Sequence, residues 1–97
     1  VADDLKWDEG KLKYSLILPE FLELMAKVLT LGEKNHPADK DGVPSWTKVD
    51  PKRYEDALFR HFQAYRLGET LDKEMGTSHM GHIAVNAMFL FWLEGRK

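Results

Sequence analysis

Residues 79–94 read HMGHIAVNAMFLFWLE, and no other stretch limits the fold as strongly. Wound as a helix, it is apolar nearly all round, with Val85, Met88, Phe89, Phe91 and Trp92 on different sides. A helix of that kind has to be buried. It does not span a bilayer, because the run from Ile83 to Leu93 is broken by Asn86 and falls short of the ~20 residues needed. A protein core made of other helices remains. Val85, Met88, Phe89 and Trp92 cover more surface than two neighbouring helices can bury, so a homo-oligomer, dimer or tetramer, is expected. His79, His82 and Asn86 share one face of the helix with Ile83, Leu90 and Leu93. Polar groups on a packed face must find partners or line a cavity.

The rest of the chain supplies the neighbours. Pro19 suits a first helical turn, and residues 19–31 (PEFLELMAKVLTL) carry helical periodicity, with Gly32 as the expected C-terminal cap. Asp50-Pro51 is an N-cap followed by a first-turn proline; a helix through PKRYEDALFRHFQAYRL should stop at Gly68. Thr77 or Ser78 can cap the third helix, which should run to about Glu94. Residues 33–49 form a long loop with Asn35-His36-Pro37, Asp41-Gly42 and Pro44, and such loops in small domains are often functional. Residues 1–18 read as an irregular arm; the alternation from Lys11 to Leu18 allows a short strand. The expected fold is all-α: a small helical bundle with an irregular N-terminal arm, forming one domain over residues 1–97.

Charge and cysteine content narrow the function. A net charge of −2 and a pI near 6.1 give no basic field, so a nucleic-acid partner is not expected. With no cysteine there is neither a disulfide nor a thiolate metal site. No membrane partner is expected, and without a signal-peptide pattern the default location is cytoplasmic.

Three groups of residues can carry chemistry. On the first helix Glu20, Glu23, Lys27 and Lys34 fall in one stripe. Its ordinary reading is a solvated face with a Glu23–Lys27 pair. Its functional reading is an E-x-x-E pair, two carboxylates one turn apart that reach one hard cation. On the second helix Tyr54, Leu58, His61, Phe62 and Tyr65 share an apolar face, which directs His61 inward as a core histidine or a site residue. Arg60, beside Arg53, forms a structural pair with Asp56 or faces a phosphate, for which guanidinium is well shaped. On the third helix His79 and His82, spaced i,i+3, can share one ligand or one metal.

Taken in order, GKLKYSLILPEFLELMAKVLTLGEKNH, the tryptophan of SW, RYEDALFRHFQAYRLGE and DKEMGTSHMGHIAVNAMFL resemble the phage-type dATP/dGTP diphosphohydrolase N-terminal domain family. The resemblance covers about residues 6–93. It implies a small helical relative of the MazG and phosphoribosyl-ATP pyrophosphohydrolases. Such enzymes cleave a nucleoside triphosphate between its α and β phosphates with Mg²⁺ or Mn²⁺, giving a monophosphate and pyrophosphate. Glu20 and Glu23 match the E-x-x-E of that wider group. His79 and His82 stand where its E-x-x-D would be, which favours Mn²⁺ or another transition ion.

The resemblance implies purine dNTPs (dATP and dGTP) as substrates and, for a phage protein, the host cytoplasm. Glu20, Glu23 and His61 are the expected catalytic residues, and Glu20, Glu23, His79 and His82 the expected metal ligands. Lys11, Lys27, Lys34 and Arg60 are expected on the phosphates, Trp46 stacked on the base, and Asn86 on the base or sugar. Asp72 is a further carboxylate able to orient water. The alternative is a non-catalytic nucleotide-binding or regulatory module. A kinase-associated role finds little support, since the chain has no P-loop.

Overall fold

Each helix begins at its start signal. A computed structural model of the chain describes residues 9–96. Pro19 opens α1 (Pro19–Asn35). Asp50 caps α2 (Pro51–Arg66), its carboxylate accepting the Lys52 N–H at 3.0 Å. Ser78 caps α3 (His79–Glu94), its Oγ accepting the Met80 N–H at 3.2 Å. Two 3-10 turns, Tyr14–Leu16 and Ser45–Lys48, complete the regular elements, and the fold is all-α.

Two boundaries differ from expectation. Gly32 does not end α1: the helix continues to Asn35, and the His36 N–H closes it on the Gly32 carbonyl at 2.8 Å. Pro37 is the actual stop, because the residue before a proline is driven out of the helical region. The alternation from Lys11 to Leu18 does not make a strand. Residues 11–18 are all exposed and include a 3-10 turn at Tyr14–Leu16, and among the described residues there is no strand to pair with them. Residues 1–8 of the expected arm lie outside the described residues.

α3 is the central element. It packs against both α1 and α2, and those two make no close backbone approach to each other among the described residues. The α1–α3 crossing is close because residue 81 has no side chain: a Cβ there would meet Leu24 Cγ at 2.7 Å. The long loop covers α3 further along. Asp39 organises it, accepting the N–H groups of Asp41 (2.8 Å) and Val43 (3.0 Å) and pairing with Lys48, whose hydrogen bond holds the Asp39 carboxyl below its usual range. The loop thereby lays Trp46 on Phe89 (centroids 4.5 Å apart, planes at 17°) and edge-on to Trp92.

This cover changes the expected interface surface. Val85 is buried and Met88, Phe89 and Trp92 are half-buried within the chain, because the loop adds a third neighbour beyond α1 and α2. Apolar groups left outside include Phe91 at 73%, Leu18, Leu22 and Phe59. Among the described residues no helix is long and apolar enough to cross a membrane.

Candidate functional site

The end of α2 is built so that Glu69 turns back toward α3. Gly68, at φ +100°, adopts the left-handed conformation; its N–H bonds the Tyr65 carbonyl and the Glu69 N–H bonds the Ala64 carbonyl, both at 3.0 Å. This is a Schellman closure, and glycine fills the one position where a side chain would be strained. The chain then folds on itself. The Asp72 N–H bonds the Thr77 carbonyl at 2.7 Å, Leu71 bridges Ser78, and the His79 N–H reaches the Thr70 carbonyl at 3.3 Å. The Asp72 carboxylate is fixed from within the turn, Oδ2 accepting the Met75 N–H at 2.9 Å.

Three imidazoles meet above this turn. His61 reaches in from α2, and its ring stacks on that of His82 at 4.3 Å with planes 5° apart. Nδ1 of His61 lies 2.9 Å from Nδ1 of His79, and Nε2 of His79 lies 2.8 Å from Glu69 Oε1. A carboxylate only accepts, so His79 donates through Nε2. In neutral His79 the Nδ1 lone pair then receives the proton on His61 Nδ1. The network assigns this tautomer. His82 Nε2 is 2.6 Å from Thr77 Oγ1 and 3.8 Å from Asp72 Oδ2. Asn86 donates Nδ2 to the His82 carbonyl at 2.9 Å.

Electrostatics keep two of the rings neutral. Burial, reinforced by the neighbouring His82, pushes the His61 imidazole down to about 4, and Asp72 opposes the shift only in part. Burial also lowers His82, against the pull of Asp72. Neutral imidazole is the form that offers a lone pair to a metal. One ring nitrogen each of His61 and His79 and one carboxylate oxygen of Asp72 lie within 4.8 Å of one another.

The cluster forms one wall of a cavity of about 830 Å³ bounded by α1, the long loop, α2 and α3. That volume lies within the usual range for small-molecule sites. His61, His79, His82, Asn86, Arg60 and Trp46 all line it, and so does Arg53. Neither arginine forms an ion pair among the described residues, and the Asp56–Arg60 and Glu23–Lys27 pairs are not formed. Trp46 enters the wall with one face already on Phe89.

The chain does not bring Glu20, Glu23 or Lys27 to this cavity. All three are exposed on the N-terminal half of α1, whereas α1 contributes Val28 to Glu33 from its other half. Lys11 and Lys34 are exposed and also lie outside the lining. Sequence reasoning left Glu69 and Thr77 out of the site and gave Asp72 no fixed place in it. Their signal was the G-E and D-x-E-x-G spacing after α2, but the back-folding that carries both to the histidines depends on the tertiary bridge.

Comparison with known proteins places the chain in a family. The family model described as dATP/dGTP diphosphohydrolase, N-terminal, matches residues 1–97. A protein of Salmonella phage PMBT28 named dATP/dGTP diphosphohydrolase is 37% identical over 89 residues, which cover 92% of this chain and 29% of that protein. The chain therefore spans less than a third of the length of that relative. No solved structure matches. With all of residues 1–97 matched, this chain belongs to the dATP/dGTP diphosphohydrolase N-terminal family.

Proposed function

We propose that the cavity binds a purine deoxynucleoside triphosphate and hydrolyses it between the α and β phosphates. The observation that carries the reading is the cavity wall itself: the His61–His79–His82 cluster with Glu69 and Asp72, beside Arg53 and Arg60, which form no ion pair among the described residues, in a chain of this family. Water attacks the α phosphorus, a P–O bond to water forms, and the bridging bond to the β phosphate breaks. The proton of the water passes to a cavity carboxylate; Glu33, Asp72 and Glu74 line the wall. Pyrophosphate leaves with the bonding pair, and its growing charge is met by Arg53 and Arg60, permanent cations suited to phosphate. His61 and His82 are neutral at pH 7 and add no charge there. The lone pair of His61 suits ligation better than phosphate neutralisation. A divalent ion, when bound, would polarise the phosphates and lower the pKa of the water. Trp46 and Asn86 lie where a base or sugar can rest.

Glu20, Glu23 and Lys27 keep a part in this reading only across an interface. Beside them Leu18, just before the helix, and Leu22 within it are also exposed, a face that a second copy would cover in a dimer or tetramer. The share of the relative left unmatched favours one rival: this chain holds the nucleotide while the chemistry lies elsewhere in a longer protein.

Chromatography of products tests the proposal. Each of the four dNTPs is incubated with the protein and Mn²⁺ or Mg²⁺. Release of dAMP or dGMP together with pyrophosphate is the expected result. Nucleotide binding without products would select the rival reading.

A further inference from the structure

We infer that His61, His79 and Asp72 form a binding centre for one first-row transition cation, with Glu69 as the outer carboxylate that orients His79. The inference concerns the same site as the proposed hydrolase and deepens that reading, but it is tested without substrate.

The geometry fits such an ion in four respects. The two Nδ1 atoms are 2.9 Å apart. Two nitrogens at ordinary metal bond lengths of about 2.0–2.1 Å in adjacent octahedral positions stand about 2.9 Å apart, so both can turn from sharing a proton to sharing an ion with little movement. The His79–Glu69 bond of 2.8 Å fixes the proton on Nε2 and leaves Nδ1 as the donor atom; a histidine ligand braced by a carboxylate in this way is the usual arrangement around a bound metal. Asp72 is held by the Met75 N–H through Oδ2, which leaves Oδ1 available. Finally, the ligands come from three separately anchored segments: α2, the closed turn and the first residue of α3.

The donor set selects the class of ion. Mg²⁺ prefers oxygen ligands and retains its waters. Two imidazoles and one carboxylate suit Mn²⁺, Fe²⁺, Co²⁺, Ni²⁺ or Zn²⁺. Three protein ligands leave positions open toward the cavity, as a reactive site requires. His82 is excluded from the ligand set by its short contact with Thr77 and serves as the wall on which His61 stacks.

The test uses untagged protein freed of metal by chelation and then titrated with Co²⁺. Visible absorption and calorimetry follow the binding, and Mg²⁺ is titrated in parallel. Expected are one Co²⁺ per chain and an affinity at least 100-fold above that for Mg²⁺. His61→Ala and Asp72→Asn should each weaken Co²⁺ at least tenfold, and Glu69→Gln about tenfold. His36→Ala, which removes an exposed histidine outside the cluster, should change nothing. His61 is only half-buried, so its variant keeps the fold, and circular dichroism verifies this for each protein. Co²⁺ affinity unchanged in both His61→Ala and Asp72→Asn would overturn the centre, as would equal affinity for Mg²⁺. A protein that binds Co²⁺ as described yet releases no pyrophosphate would retain the centre and lose the hydrolase reading. Hydrolysis with Mg²⁺ in a chain whose variants bind Co²⁺ normally would do the reverse.

Discussion

Replacing Gly81 with alanine should loosen α1 from α3. The added Cβ would stand 2.7 Å from Leu24 Cγ and 3.0 and 3.1 Å from its two methyl carbons. Carbon atoms rest about 3.5–4.0 Å apart, so the overlap with Cγ is close to an ångström. Cγ is the branch point of the leucine rather than its tip, and it moves only if χ1 changes or the helices separate. Overpacking of this kind costs about 1–3 kcal/mol. Against that, alanine is favoured over glycine in a helix by up to about 1 kcal/mol. The net expectation is a loss of roughly 1 kcal/mol. Urea denaturation followed at 222 nm measures it. The same substitution in a Leu24→Ala background has nothing to strike, so there it should stabilise by about 0.5–1 kcal/mol. The sign reversal amounts to a coupling of about 1.5–2 kcal/mol between residues in contact. If Gly81→Ala stabilises the otherwise unaltered protein by its full helix preference, the close crossing is wrong.

Acid should weaken the metal-free protein before its carboxylates titrate. His61 falls from 6.5 in the unfolded chain to about 4 when folded, and His82 shifts the same way. The unfolded state then binds protons that the folded state refuses, so stability is complete above pH 6.5 and is lost as pH falls toward 4. After allowance for solvent screening the loss from His61 is about 1–2 kcal/mol, and urea midpoints for His61→Gln should flatten over this window. Light scattering at micromolar concentration should give a mass well above 11.2 kDa, and Phe91→Glu should lower it if that exposed ring lies in the contact. A clean monomer would remove the interface. In the isolated chain Glu20→Gln/Glu23→Gln should leave the Co²⁺ titration unaltered, since both residues are exposed and outside the cavity. A lost binding event would bring that stripe into the centre.

Much of the scaffold was legible because its signals are local. Asp50-Pro51 and Ser78 mark helix starts through bonds to residues two positions away, and α3 betrays its burial by composition alone. Periodicity gave the inward turn of His61 but also put Phe62 and Tyr65 on that face, and the structure leaves both exposed, because α2 turns Tyr54, Ala57, His61 and Ala64 to the cavity instead. Gly32 misled because glycine in a helix costs only about 1 kcal/mol, which three further helical residues can outweigh until Pro37 intervenes. The site was legible only in part. His79, His82 and Asn86 stood out as polar groups on an apolar helix. Glu69 and Asp72 lie in a loop whose return path is set by backbone bonds to Thr70 and Thr77, and no periodicity encodes that. The covering of Phe89 and Trp92 by Trp46 was hidden for a similar reason: it depends on Asp39 folding the long loop back.

The central place of α3 has a consequence for the order of events. Among the described residues α1 packs on the other helices through α3 alone, while every residue of the imidazole–carboxylate cluster lies between positions 61 and 82. The α2–turn–α3 hairpin is thus closed by contacts near in sequence, which form early in folding because little loop entropy is lost. α1 is then expected to dock last and detach first, as a separate cooperative unit. Its amides should exchange with solvent ahead of those in α2 and α3. Each such excursion would remove one wall of the cavity and leave the histidines in register.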